Sequence, residues 1–254
     1  MRPEQLRLYL VTDRPLSLGR DIAWVVEEAV KGGATMVQLR EKDIDTREFI
    51  ELARRLQPIL REAGVPLIIN DRVDVALAVD ADGVHIGQSD MPYEIARRLL
   101  GPDKIIGLSV ENMEEVREAN SLDVDYIGVS PVYATATKID TAPPFGIDGL
   151  KEAVRLSRHP AVAIGGMNAR TAPDAFATGV DGIAVVSAIC SAEDPRKAAE
   201  DLSAMAASHS GYIQSSLRCG PGSSRGTPLD EKCCRASGNA GAASCSSYLR
   251  SSPQ

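Results

Sequence analysis

The chain has 254 residues, 44 % apolar and 25 % charged, with a formal net charge of −7. That is the composition of an ordinary soluble globular protein with enough length for one large core. A net-acidic surface argues against nucleic acid or an anionic membrane as a partner, and no apolar run reaches the roughly 18 residues of a membrane span. An anionic small molecule is not excluded, because it responds to the local field of a pocket.

The opening segment MRPEQLRLYLVTDRP is apolar only over Leu8 to Val11 and is broken by Asp13, which does not make a signal peptide. A cytoplasmic location is expected. Leu8–Val11 is the first of eight candidate strands. The others are Met36–Leu39, Leu67–Ile69, Val84–Ile86, Ile105–Leu108, Tyr126–Val129, Ala161–Ile164 and Gly182–Val186. Most are continuous apolar runs, as expected of parallel strands covered on both faces. Aromatic residues are scarce, at 4 %, so the core is expected to be Val, Ile, Leu and Ala.

Helical patterns fill most of the gaps. Asp21 to Lys31 has Asp21 at its start and Gly32–Gly33 past its end; Thr46 to Glu62 has Thr46 as its expected N-cap and Gly64 behind it. Asn112–Ala119, Ile147–Leu156, Ala172–Thr178 and Pro195–Ala207 follow the later strands. This alternation predicts an α/β chain, either a (β/α)8 barrel or a doubly wound open sheet. The barrel is preferred: no G-x-G-x-x-G follows the first strand, and unusual polar residues sit at the ends of many different strands. The barrel domain is expected to occupy residues 1–208. Residues 209–254 are rich in Ser, Gly and Cys, without a helical or strand period, and are expected to form a disordered tail. Cys219, Cys233, Cys234 and Cys245 lie there without a convincing zinc pattern, which favours a reduced chain.

The strand ends carry the chemistry. Period two puts Gln38, Arg40 and Lys42 on one side of the second strand; an Arg and a Lys there suit an anion, or else belong to a solvated loop. Asn70–Asp71–Arg72 ends the third strand and Asp90 follows the fourth. Two carboxylates after neighbouring strands suit Mg²⁺ completed by phosphate oxygens, or else cap helices. His85 reads first as a packed core histidine. Ser109 ends the fifth strand. The long loop DYIGVSPVYATATKIDTAPPFG places Thr135, Thr137 and Lys138 together, a donor set for diphosphate or a mere surface loop. Gly165–Gly166 and the end of the eighth strand, Val186–Ser187, let backbone amides approach a phosphate, where barrels often bind one; a simple tight turn is the alternative.

The segments YLVTD (9–13), QLREK (38–42), NDR (70–72), GVHIGQSD (83–90), PxxxTxTK (131–138), IGGM (164–167) and GIAVVSAI (182–189) occur in one order. Together they resemble the thiamin phosphate synthase family over about residues 6–205. The resemblance implies an Mg²⁺-dependent transferase of thiamine biosynthesis on a (β/α)8 barrel. It would condense 4-amino-2-methyl-5-hydroxymethylpyrimidine diphosphate with 4-methyl-5-(2-phosphoethyl)thiazole, giving thiamin phosphate and pyrophosphate. It further implies that Gln38, Arg40, Lys42 and Asn70 hold the pyrimidine diphosphate and that Asp71 and Asp90 bind Mg²⁺. Ser109 and Lys138 would contact the diphosphate, Thr135 and Thr137 would belong to a closing loop, and Gly166, Val186 and Ser187 would hold the thiazole phosphate. Ser130 and Met167 depart from the family's usual Gly and Ile without removing a ligand. A thiazole tautomerase-like barrel, or a non-catalytic barrel binding thiazole phosphate, is the alternative; neither needs both the carboxylate pair and the basic cluster. A homodimer could use an amphipathic helix face, although packing within the barrel explains such a face equally well.

Overall fold

A computed structural model describes residues 1–134 and 143–218, with side chains through residue 208. Its eight strands are β1 Leu8–Val11, β2 Met36–Leu39, β3 Leu67–Asn70, β4 Gly83–Ile86, β5 Ile105–Val110, β6 Tyr126–Val129, β7 Ala161–Ile164 and β8 Gly182–Val185. Every neighbouring pair is parallel and β8 pairs with β1, which closes a (β/α)8 barrel and removes the open sheet from consideration. The helices are α1 Ile22–Lys31, α2 Thr46–Ala63, α3 Val73–Val79, α4 Tyr93–Leu100, α5 Met113–Ala119, α6 Gly146–Leu156, α7 Ala172–Ala177, the short α8 Ser187–Cys190 and α9 Pro195–Arg218.

Burial sorts the strand residues by parity. Leu8, Leu10, Val37, Leu39, Ile69 and Val84 pack outward against the helices. Tyr9, Val11, Met36, Ile68, Ile105, Tyr126, Val162 and Ala184 form a second cluster inside the barrel. Two tyrosines lie in that inner cluster, so the barrel interior is not purely aliphatic. Continuing each strand toward its carboxyl end at the same parity gives Gln38, Asn70, His85 and Ser109. The interior therefore turns from apolar at the bottom to polar at the top.

The bottom is closed by a repeated device. The side chain just ahead of an even-numbered strand accepts the first free N–H of the strand before it: Thr35 from Leu8, Asp82 from Leu67, Asp125 from Ile106 and Asp181 from Ala161. Asp125 also pairs with Arg97 at 3.1 Å. Ile106 is fully buried, so Asp125→Ala leaves an amide without a partner. We expect it to lower stability by about 2 kcal/mol while activity per folded molecule is unchanged, as read by denaturant melts beside kinetics. The bottom of a barrel serves stability, not chemistry.

Several boundaries differ from the sequence expectations. Asp45, not Thr46, caps α2, accepting from Glu48 N at 2.9 Å. Helix α9 runs ten residues past 208, through SHSGYIQSSLR. Once Ala199, Leu202 and Ala206 are buried, continuing the helix is cheap, and this stretch has one Gly and no Pro. Residues from Cys219 onward lie outside the described residues.

Candidate active site

One cavity of about 520 Å³ opens at the carboxyl ends of the strands. Gln38, Arg40, Lys42, Asn70, Asp71, Asp90, Ser109, Gly166, Val186 and Ser187 all line it. Residues from six strand ends, some 150 positions apart in sequence, thus share one space. Thr135, Thr137 and Lys138 lie outside the described residues.

Strand β2 delivers the basic side. Gln38 is buried, and Arg40 donates from a guanidinium nitrogen to Asp13 Oδ2 at 2.9 Å. Asp13 is itself buried, and its other carboxylate oxygen accepts from Leu16 N. The chain beyond β2 brings Lys42 Nζ to 2.5 Å from Asp71 Oδ2. The cations foreseen as anion ligands are therefore each matched by a carboxylate, of which Asp71 lines the cavity. Asp13 was not foreseen as a site residue. It follows β1 at the parity of Tyr9 and Val11, which was the available signal.

Strands β3 and β4 deliver the acidic side. Asp71 sits at φ 60°, in the left-handed region that Asp tolerates better than most residues at a cost of roughly 1 kcal/mol. Its amide is fixed by His85 O at 2.8 Å. Asp90 Oδ2 accepts from Gly87 N at 2.7 Å, which folds the loop after β4 back on itself. Burial pushes the Asp90 carboxyl above the usual carboxylate range. The Gly87 amide opposes that shift, the adjacent Asp71 carboxyl adds to it, and the Lys42 charge restrains it. Two carboxylates placed this closely destabilise each other unless a cation sits between them. Among the described residues, no third His, Cys, Asp or Glu joins them in a metal-binding group. The pair fits a hard divalent ion that takes its remaining ligands from water and phosphate oxygens, as Mg²⁺ does.

Across the barrel, β7 ends in Gly165 and Gly166, at φ 95° and 71°. A Cβ at Gly165 would fall 2.7 Å from Pro131 Cβ, and one at Gly166 would fall 2.8 Å from Tyr133 Cβ, so only glycine fits beside the loop after β6. The turn is braced by Thr171 Oγ1 and Asn168 Nδ2, both donating to Gly166 O. Val186 and Ser187 stand beside it at the start of α8. Backbone exposed by glycines next to a helix start can accommodate a phosphate.

His85 bridges the middle, with Nδ1 2.9 Å from the Tyr126 hydroxyl and Nε2 2.9 Å from Ser109 Oγ. It is a hydrogen-bonded histidine, as expected, but it also lines the cavity. Tyr9 and Tyr126, which complete this group, were not foreseen.

A parallel barrel whose mouth sets cations and an acidic pair against a Gly-Gly turn belongs to the phosphate-handling enzyme barrels. The model of the thiamine monophosphate synthase family matches residues 8–189. Over 196 residues the chain is 60 % identical to a thiamine-phosphate synthase of Vibrio campbellii, covering 77 % of this chain and 96 % of that one. It is 52 % identical to a thiamine-phosphate synthase of Clostridium novyi, with the same coverage. The solved thiamine phosphate pyrophosphorylase of Pyrococcus furiosus superposes with a TM-score of 0.76 at 43 % identity, covering 82 % of this chain and 98 % of that one. The chain belongs to the thiamine monophosphate synthase family.

Proposed function

We propose that the cavity joins a pyrimidine diphosphate to a thiazole phosphate, making thiamin phosphate and releasing pyrophosphate. The observation that carries this reading is the placement of two anion-suited regions across one space. The basic and acidic groups of β2–β4 face the Gly-Gly turn and Val186–Ser187 of β7–β8. Two phosphorylated substrates can then meet with their reacting carbon and nitrogen between them.

Arg40 and Lys42 bind the diphosphate and offset the negative charge that grows on the departing pyrophosphate. Gln38 and Asn70, both buried, orient the pyrimidine. Ser109 bonds the same substrate, and Lys138, with Thr135 and Thr137, is assigned to the diphosphate and the covering loop. Backbone at Gly166, Val186 and Ser187 holds the thiazole phosphate. Asp71 and Asp90 would hold Mg²⁺, which when bound supplies positive charge to the diphosphate oxygens. As the C–O bond breaks, the ring amine donates electrons into the pyrimidine methylene cation. The thiazole nitrogen then supplies the pair for the new C–N bond. No protein nucleophile is needed, so the residues chiefly position the partners and exclude water. Among the described residues no helix is long and apolar enough to cross a membrane; a cytoplasmic location suits two phosphorylated, membrane-impermeant substrates.

The test is a chromatographic product assay on the full chain. Thiamin phosphate is expected only with both substrates and Mg²⁺, and is expected to disappear with chelator. Folded, metal-supplied protein that gives no product sinks the reading. Turnover of the thiazole phosphate alone would instead mark a tautomerase.

A further inference from the structure

The floor of the cavity holds a continuous run of hydrogen bonds whose middle members, Tyr9, Tyr126 and His85, the reaction as written does not use. Gln38 Nε2 donates to the Tyr9 hydroxyl at 2.8 Å, and the Tyr9 and Tyr126 hydroxyls are 2.8 Å apart. Tyr126 then reaches His85 Nδ1, and His85 Nε2 reaches Ser109 Oγ, each at 2.9 Å. The tyrosine rings meet edge to face with centroids 5.9 Å apart. Strand β5 gives up a side chain to admit them, since a Cβ at Gly107 would fall 2.1 Å from Tyr126 Cζ. Tyr9 is 1 % and Tyr126 0 % exposed, and burial drives both phenols toward the protonated form.

These contacts have a direction. Each phenol has one proton to donate. The Gln38 amide already donates to Tyr9, and among the described residues Tyr126 is the acceptor within reach of the Tyr9 proton. Tyr9 therefore donates to Tyr126, and Tyr126 donates to His85 Nδ1. A neutral imidazole that accepts at Nδ1 carries its proton on Nε2 and donates it to Ser109 Oγ. The Ser109 proton is then left to point into the cavity. In the reverse direction the Tyr9 proton would be buried against an N–H with nothing to receive it, an arrangement folded interiors avoid.

We propose that Gln38, Tyr9, Tyr126 and His85 form a one-way hydrogen-bond relay that makes Ser109 a donor to an acceptor atom of the bound pyrimidine diphosphate, with His85 a positioning residue in its Nε2–H tautomer. This rests on the assignment of the cavity to that substrate. The direction itself does not, because it is set by the protein alone.

Two measurements test it. The first is ¹⁵N NMR of histidine-labelled full chain carrying His159→Gln and His209→Gln, so that the ring signals come from His85. A proton on Nε2 and an unprotonated Nδ1 are expected; a proton on Nδ1 overturns the relay, because Ser109 would then donate its one proton to Nε2 and could only accept from the substrate. This arm needs no substrate and no change in the core, so it stands even if the chain makes no thiamin phosphate. The second is a double-mutant cycle with Tyr126→Phe and Ser109→Ala. Tyr126→Phe is expected to lower kcat/KM for the pyrimidine diphosphate about tenfold in the parent and less than about twofold in the Ser109→Ala background. KM for the thiazole phosphate is expected to hold. Equal losses in both backgrounds would make Tyr126 merely structural. A Tyr126→Phe chain that fails to fold hands the decision to the NMR arm.

Discussion

Asp90→Asn is expected to lower kcat/KM at fixed Mg²⁺ by on the order of a thousandfold, while the chain melts no lower without the metal. Both halves follow from one contact. Asp90 is partly buried against Asp71, and each carboxylate disfavours the charge of the other. Asparagine removes that repulsion and keeps an oxygen for the Gly87 amide, which Asp90 now satisfies at 2.7 Å. The folded chain therefore loses nothing it needs for stability. A divalent ion loses one of its two protein carboxylates. Thermal melts with and without Mg²⁺, run beside the product assay, separate the two effects: the parent is expected to gain stability on adding the ion and the variant to gain little. A variant that keeps its rate within about threefold at low Mg²⁺ would remove Asp90 from the metal site. Asp71→Asn is the weaker test, because it also releases Lys42 from its 2.5 Å ion pair and so alters the basic side of the cavity at the same time.

How much of this was legible depended on how local the cause was. The strands could be read because parallel strands covered on both faces must be continuous apolar runs, and Leu8–Val11, Met36–Leu39, Tyr126–Val129 and Ala161–Ile164 end where their runs end. Gln38 and Arg40 could be placed at the cavity because side-chain direction alternates from a known strand. Helices α3 and α4 escaped for an equally local reason. Their N-cap residues are Arg72 and Pro92, neither of which makes a side-chain cap bond, and VDVALAV leaves Leu77 in solvent, which blurs the helical period. Partners were beyond reach. The Tyr9–Tyr126 bond joins residues 117 apart and the Arg40–Asp13 pair joins residues 27 apart. Nothing in either segment names the other until barrel closure and register bring them together. The sequence could therefore place a cation at Arg40 without revealing that its immediate neighbour is a carboxylate.

That neighbour makes Arg40→Ala ambiguous alone and decisive in combination. Arg40→Ala is expected to cut kcat/KM by on the order of a hundredfold or more. It is also expected to destabilise the fold by about 2 kcal/mol or more, because the Asp13 carboxylate stays in a largely buried position after its 2.9 Å partner is gone. The surviving charge would also repel the incoming diphosphate, so part of the activity loss would come from Asp13 and not from the missing guanidinium. Adding Asp13→Asn removes that charge and keeps an oxygen for the Leu16 amide. The double variant is expected to recover most of the stability and only the repulsive part of the activity loss. Arg40→Lys should fall between, retaining charge but losing the planar fork that can hold Asp13 and a phosphate together. Urea melts and steady-state kinetics on the four chains decide the matter. If Arg40→Ala with Asp13→Asn regains full activity, Arg40 serves only to neutralise Asp13, and the diphosphate is bound by other groups. If stability returns and activity does not, the guanidinium acts on the substrate, and Asp13 fixes the direction in which it points.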